Sequence, residues 1–322
     1  MIHSLTPENV VAPKENTYFV IALVLAILIW TGLTLITFGM VWSFLIVIAL
    51  FAWFSNGLLV AGLKADAVAV HPNQLGRLDA TLRSVCQALP VKEIPELYVI
   101  QSGGLLNAFA TRHSGRHFVV VYSDMLEAFG PDSAEMRFLL GHEVGHIHRN
   151  HLLRRLLLAP ALFLPLIGAA YSRACESTCD RFGALASGSL ESSLRAMMTL
   201  AGGKAAGREM DPLQFAQQNK THRGFFVSWY ELISGYPTLT RRMKDLLELE
   251  TGRTIENPPR HPLAYLFALG SFGGGFGGRG SILMTLIVFY FFFIFAALAV
   301  PAVSAAVKRG QEIQRMQQQT GP

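Results

Sequence analysis

No charged side chain occurs between Thr17 and Leu63. As one helix this stretch would reach about 70 Å, roughly two hydrocarbon cores of a bilayer. It must therefore fold back, and Gly39 within Thr37–Val41 marks the place. Two spans are expected, over 18–37 and 42–62. A cleaved leader peptide describes the segment less well, because the apolar run is too long and no small-residue cleavage site follows a short core. Composition agrees with a membrane chain: 51% of residues are hydrophobic, 15% are charged, and mean hydropathy is +0.37. The net charge of +5 has no long basic run behind it. That gives a nucleic-acid partner nothing to hold, whereas basic residues flanking membrane spans account for it.

A second apolar segment, Ile282 to about Val303, follows a glycine-rich stretch, Gly270–Gly280. That stretch lacks the Lys-Ser/Thr of a phosphate loop and reads as a linker. The expected organisation is a tail and transmembrane hairpin over 1–63 and a mixed domain over 64–260. A Gly-rich linker (261–281), a C-terminal transmembrane helix (282–307) and a tail (308–322) follow. Within the domain, helices are expected near 80–89, 133–151, 172–186, 190–201, 225–234 and 238–250. Strands are expected over 96–100 and 117–122, with a turn at Ser102-Gly103-Gly104. Cys86, Cys175 and Cys179 are too few and too unevenly placed for a disulfide framework, and no second Cys pair completes a Cys-based metal knuckle.

The chemistry concentrates in His142-Glu143-Val144-Gly145-His146, an HExxH string. On a helix, residues four apart share a face, so both imidazoles can grip one metal ion, with Glu143 beside them to handle a proton on a metal-bound water. The Pro-free run Ser133–His151, with Asp132 or Ser133 as N-cap and Glu135 in its first turn, suits such a helix. A catalytic zinc takes three protein ligands and keeps one position open. The class with a third His on the same stretch is excluded, because Arg149 and Leu152 occupy its Gly and His positions. His148 and His151 are expected on the exposed face. The best candidate is Glu176, since no carboxylate lies between it and Glu143. Asp180, one turn on, could accept the free N–H of a ligand imidazole. The alternative for that pair is a solvated helix face, and the ligand reading is preferred. If Glu176 is a ligand, the apolar stretch 156–171 cannot cross the membrane once, and it is too short to cross twice. It is then core, or lies on the membrane surface.

Four local patterns, in order, resemble the HtpX-like membrane zinc peptidases, relatives of the CAAX prenyl endopeptidase. They are Asn107-Ala108-Phe109-Ala110, the HExxH with His151 five residues on, the Glu176/Asp180 pair within Ser-Arg-x-x-Glu, and Tyr236-Pro237-Thr238-Leu239-Thr240-Arg241-Arg242-Met243. The resemblance implies a zincin-like α+β fold, mostly helical with a small sheet, plus transmembrane helices. It implies one Zn2+ per chain, held by His142, His146 and Glu176. It makes Asn107, Ala108, Phe109 and Ala110 an edge strand that pairs with extended substrates, and places Arg242 near the metal to stabilise an oxyanion. Two departures stand out: Tyr236 replaces the family's His before Pro, and the gap between His146 and Glu176 leaves no room for a transmembrane pair. The chain is therefore identified as a divergent member.

The expected activity is endoproteolysis of unfolded or membrane-associated proteins, in quality control or processing. The alternative is a membrane scaffold or chaperone with a non-catalytic zinc site, against which an intact Glu143 argues. The hairpin turn has no Lys or Arg, while Lys14, Lys64, Arg77 and Arg83 flank its outer ends. An integral protein of a bacterial-type cytoplasmic membrane with its peptidase domain inside is expected. Lys308, Arg309 and Arg315 after the last span oppose that orientation, and the earlier hairpin carries more weight.

Overall fold

The computed structural model describes residues 6 and 9–272, except 90, 102, 104–106 and 257. The expected C-terminal span and tail, and most of the Ser102–Gly104 turn, lie outside the described residues. The elements run α1 (Pro13–Ile36), α2 (Met40–Asp66), β1 (Val68–Ala69), α3 (Gly76–Ala88), β2 (Glu96–Ile100), β3 (Ala108–His113), β4 (Arg116–Tyr122) and α4 (Ser123–Phe129). Then come α5 (Ala134–His148), α6 (His151–Leu157), α7 (Ala159–Leu162), α8 (Ile167–Ser187), α9 (Leu190–Glu209), α10 (Pro212–Thr221), α11 (Phe225–Ile233), α12 (Leu239–Thr251) and α13 (Pro262–Leu269). This is a mostly helical α+β fold with one small sheet.

Both α1 and α2 are long and apolar enough to cross a membrane, and most of their side chains are exposed. They turn at Phe38 and Gly39, both in the left-handed region. The Trp30 and Trp42 rings stack at 5.5 Å, and Trp42 Nε1 donates to Thr34 Oγ1 at 3.1 Å across the turn. Each helix runs into the domain. Ala22 and Ala26 of α1 pack with Leu158, Ala161, Leu162, Tyr171 and Cys175. Val60 and Leu63 of α2 cover one face of the sheet at Tyr98, Phe118 and Val120.

The sheet has the order β1-β2-β4-β3, with β2 and β4 parallel and the other pairs antiparallel. Alternation decides its faces: Leu97, Val99, Val119 and Val121 point to the core under α3 and α5, and the intervening residues point to α2. The tight turn Ser114-Gly115, both with positive φ, joins β3 to β4 and leaves β3 on the edge.

Ser133 caps α5, its Oγ accepting from Met136 N–H at 2.9 Å. The expected helix 133–151 is broken, however. It ends at His148, and Asn150 adopts φ 51° before α6 begins. The expected 190–201 helix extends to Glu209 across a kink at Gly203. Sequence reasoning gave no helix over α4 or α10. The first residues of the expected 261–281 linker form α13, whose Ala264 and Ala268 are buried with Leu232 and Ile233 of α11. The stretch 156–171 is not one helix but is divided among the end of α6, α7 and the start of α8. Leu158, Ala161 and Leu162 pack on α1, while Leu152, Leu153, Leu156, Leu157 and Phe163 are exposed.

α5 and α8 approach through glycine. A Cβ on Gly141 would sit 2.5 Å from the Ala186 Cβ, and one on Gly183 would sit 2.6 Å from the Phe138 carbonyl oxygen. The exchange Gly183→Ala should therefore lower stability by about 1–3 kcal/mol despite the better helix propensity of alanine, read as a fall in unfolding midpoint. A midpoint at or above wild type would contradict this packing. Farther along, Glu231 accepts from Arg241 at 2.8 and 2.6 Å and from Arg260 at 3.0 Å. Burial would raise its pKa, but the two guanidiniums hold it below the ordinary glutamate value. A carboxyl depressed in the folded state contributes stability above about pH 4.3 and loses it as pH falls through the folded value. Glu231→Gln should lower stability at neutral pH and flatten the acid limb of the stability–pH curve; an unchanged limb would show that the clamp contributes nothing.

Candidate metal centre

His142 and His146 project from α5 toward α8, Glu143 meets the backbone of β3, and the glycine contact lets α8 bring Glu176 opposite the two imidazoles. His142 Nε2 lies 3.3 Å from Glu176 Oε2, and His146 Nε2 lies 3.6 Å from Glu176 Oε1. One ligand atom from each of the three residues falls within 4.8 Å of the other two. A tetrahedral ion with bonds of about 2.0–2.1 Å spaces its ligands about 3.3–3.4 Å apart. The donor set, two imidazole nitrogens and one carboxylate, thus fits a small borderline cation.

Each imidazole is held from behind. His142 Nδ1 is 2.9 Å from Asp180 Oδ1, so the Asp180 carboxylate accepts its proton and leaves Nε2 free to ligate. Arg242 donates to Asp180 through Nε at 2.8 Å and Nη2 at 2.5 Å. His146 Nδ1 instead meets His151 Nδ1 at 2.9 Å. The expectation that His151 faces solvent is overturned, for it is 2% exposed. The break at Asn150 turns α6 and swings His151 back under the site. His148 stays half-buried, its ring against Phe182.

Burial alone would lower His142, but its contacts with Asp180 and Glu176 hold it up, to about 10. Burial would raise Glu176, yet His146, His142 and Arg242 hold it below the usual carboxylate range. His146 falls well below the ordinary value because burial dominates. Glu143 is pushed up to about 7 chiefly by burial. A divalent cation at the three ligands works against that rise and displaces the proton on His142.

These groups line a cleft of about 680 Å³ with Ala108, Phe109, Ala110, Tyr236, Arg155 and Arg242 on its walls. Glu143 accepts from the Ala110 backbone N–H, so the outer edge of β3 faces the site. Asn107 lies just before that strand, its carbonyl accepting from Tyr122 N–H. Tyr236 is partly exposed at the cleft wall. Arg242 is committed to Asp180, which places its charge behind His142. Arg155 was not anticipated. It donates to Ser172 Oγ at 3.1 Å and stands 3.9 Å from Glu176 Oε1. No spacing rule points to it, because the turn that aims it depends on the Asn150 break.

Residues 72–169 match the model of peptidase family M48 and make up an M48 peptidase domain. That match supports a metallopeptidase domain over these residues. The chain is similar to the plastoglobule-localized metallopeptidase 48, chloroplastic, of Arabidopsis thaliana, with 31% identity over 153 residues. That match covers 42% of this chain and 43% of the relative, so the chain spans less than half of the curated relative's length. No solved structure matches.

Asp180→Asn should lower zinc affinity about 10–100-fold, because the amide orients His142 less firmly and leaves Arg242 buried without its counter-charge. Competition against a chelator measures it, and unchanged affinity would remove Asp180 from this role.

Proposed function

We propose that the chain is a membrane-anchored, zinc-dependent endopeptidase. The observation that carries this is the convergence of His142, His146 and Glu176 beside the buried Glu143, in a cleft walled by the edge strand β3. Zinc at these ligands would supply Lewis acidity, acidifying water and polarising a carbonyl. Glu143 takes the proton of the attacking water and delivers it to the amine leaving group. Arg242 keeps Asp180 ionised and adds positive charge at the back of the site, and Tyr236 offers a hydroxyl at the cleft wall, where a developing oxyanion would need donors. An extended substrate pairs with the outer edge of β3 at Asn107–Ala110, a mode that uses backbone groups and asks little of sequence.

Unfolded or membrane-associated proteins suit this cleft. Its rim includes Leu152 and Leu153, both more than half exposed, and Tyr230. Leu152 and Leu153 belong to α6, which leads directly into α7, against which the apolar α1 packs, so lipid is a natural neighbour. The charge distribution around α1 and α2 favours the domain on the cytoplasmic side of its membrane. A scaffold with a non-catalytic zinc site would not need Glu143 in the cleft.

Wild type and Glu143→Gln, both full-length in detergent, should bind zinc equally, while the variant cleaves an unfolded protein at least about 100-fold more slowly. Equal cleavage would sink the mechanism. Glu176→Ala should lose zinc occupancy under the same conditions; full occupancy would remove it from the ligand set.

A further inference from the structure

Glu15 sits in the first turn of the apolar helix α1 and is fully buried, beneath the metal centre. Its Oε1 accepts from Arg149 Nη2 at 2.7 Å and Nε at 2.9 Å, and from Arg154 Nη1 at 3.1 Å. His151 Nε2 lies 3.4 Å from the same oxygen. That is long for a strong hydrogen bond. Yet His151 Nε2 and Glu15 Oε2 are both buried without a hydrogen-bond partner, and Glu15 is the carboxylate within reach of that nitrogen. On its other side His151 holds His146 through Nδ1 at 2.9 Å.

Tautomers now follow from one requirement. If His146 ligates through Nε2, its proton is on Nδ1 and is donated to His151 Nδ1. His151 must then carry its own proton on Nε2, facing Glu15. We infer that Glu15 is a positioning residue of the metal centre: acting through His151, it fixes the tautomer and orientation of the ligand His146, which makes the first apolar helix part of the site. The arrangement parallels His142–Asp180–Arg242, with one imidazole interposed and Arg149 and Arg154 in place of Arg242. Cys179 Sγ stands 3.7 Å from His151 Nδ1. His146, His151 and Cys179 also bring ligand atoms within 4.8 Å of one another. A second metal there would need His146 Nδ1 as a ligand, the atom the relay uses as donor.

The inference rests on the metal-centre reading, and its test reads zinc affinity rather than cleavage. Full-length wild type, Glu15→Gln, His151→Ala and the double variant are titrated with zinc against a competing chelator in detergent, beside Glu143→Gln as a reference that keeps its metal. Each single variant should bind zinc about tenfold or more weakly. On the His151→Ala background, Glu15→Gln should cost less than twofold more, because the link is already cut; a role in folding alone gives additive losses. Where His151→Ala does not fold, His151→Leu, which fills the space but offers neither donor nor acceptor, replaces it in the same cycle. Single variants within twofold of wild type, or additive losses, overturn the relay. So does a second zinc equivalent that disappears with Cys179→Ala, since His151 is then a ligand. Loss of cleavage in none of these variants, or equal cleavage in Glu143→Gln, would bear on the peptidase reading and leave the affinity cycle standing.

Discussion

Gly141, Gly145 and Gly183 let α5 and α8 lie so close that an added methyl would meet a backbone atom or a neighbouring side chain. Everything at the metal centre depends on that separation. One helix supplies two imidazoles and a carboxylate, the other supplies the opposing carboxylate and Asp180, and a few tenths of an ångström decide whether they share one ion. A glycine contact achieves this because no rotamer has to be found for side chains that are not there. The packing around it is correspondingly firm, with Phe138, Val144 and Phe182 enclosing the crossing.

Such an approach also concentrates charge in a poorly hydrated place. Glu176, Asp180 and Arg242 are largely withdrawn from water, as are Glu15 and His151. A buried ion is costly unless each of its polar atoms is met. Here the charges alternate along two branches that leave the ligand histidines in different directions, one into α12 and the other into α1. Each branch ends on guanidinium groups, Arg242 on one and Arg149 with Arg154 on the other, which balance the charge of Asp180 and Glu15. The centre is therefore tied to three separate parts of the chain beyond α5.

How much of this could be seen in the letters depends on range. His142, Glu143 and His146 follow from a local spacing, and Glu176 and Asp180 from the shortage of rival carboxylates. The hairpin over 17–63 follows from the absence of charge. The strand at Ala108–His113 came only through resemblance, because Thr, Arg and His interrupt its apolar pattern. His151 was misplaced because a helix drawn through 151 sends it outward; one residue with positive φ, Asn150, reverses its direction. Glu15 was hidden for a different reason. It stands just before an uncharged stretch, where an acid looks like a boundary marker, and its partners are more than a hundred positions away.

That distance has a bearing on how the molecule comes together. The Ala12 N–H donates to Thr178 Oγ1, a contact between residues 166 apart, and α1 docks along α8 beside it. α1 is synthesised well before α8. Until α8 emerges, then, a glutamate and an apolar helix wait for a surface that does not yet exist. Closing a loop of that size is slow compared with forming any single helix. The ligand histidines and Glu176 are near neighbours in sequence and can meet earlier. Maturation would then run in two stages, with the half of the site built on α5 and α8 formed first and the half that reaches α1 completed last.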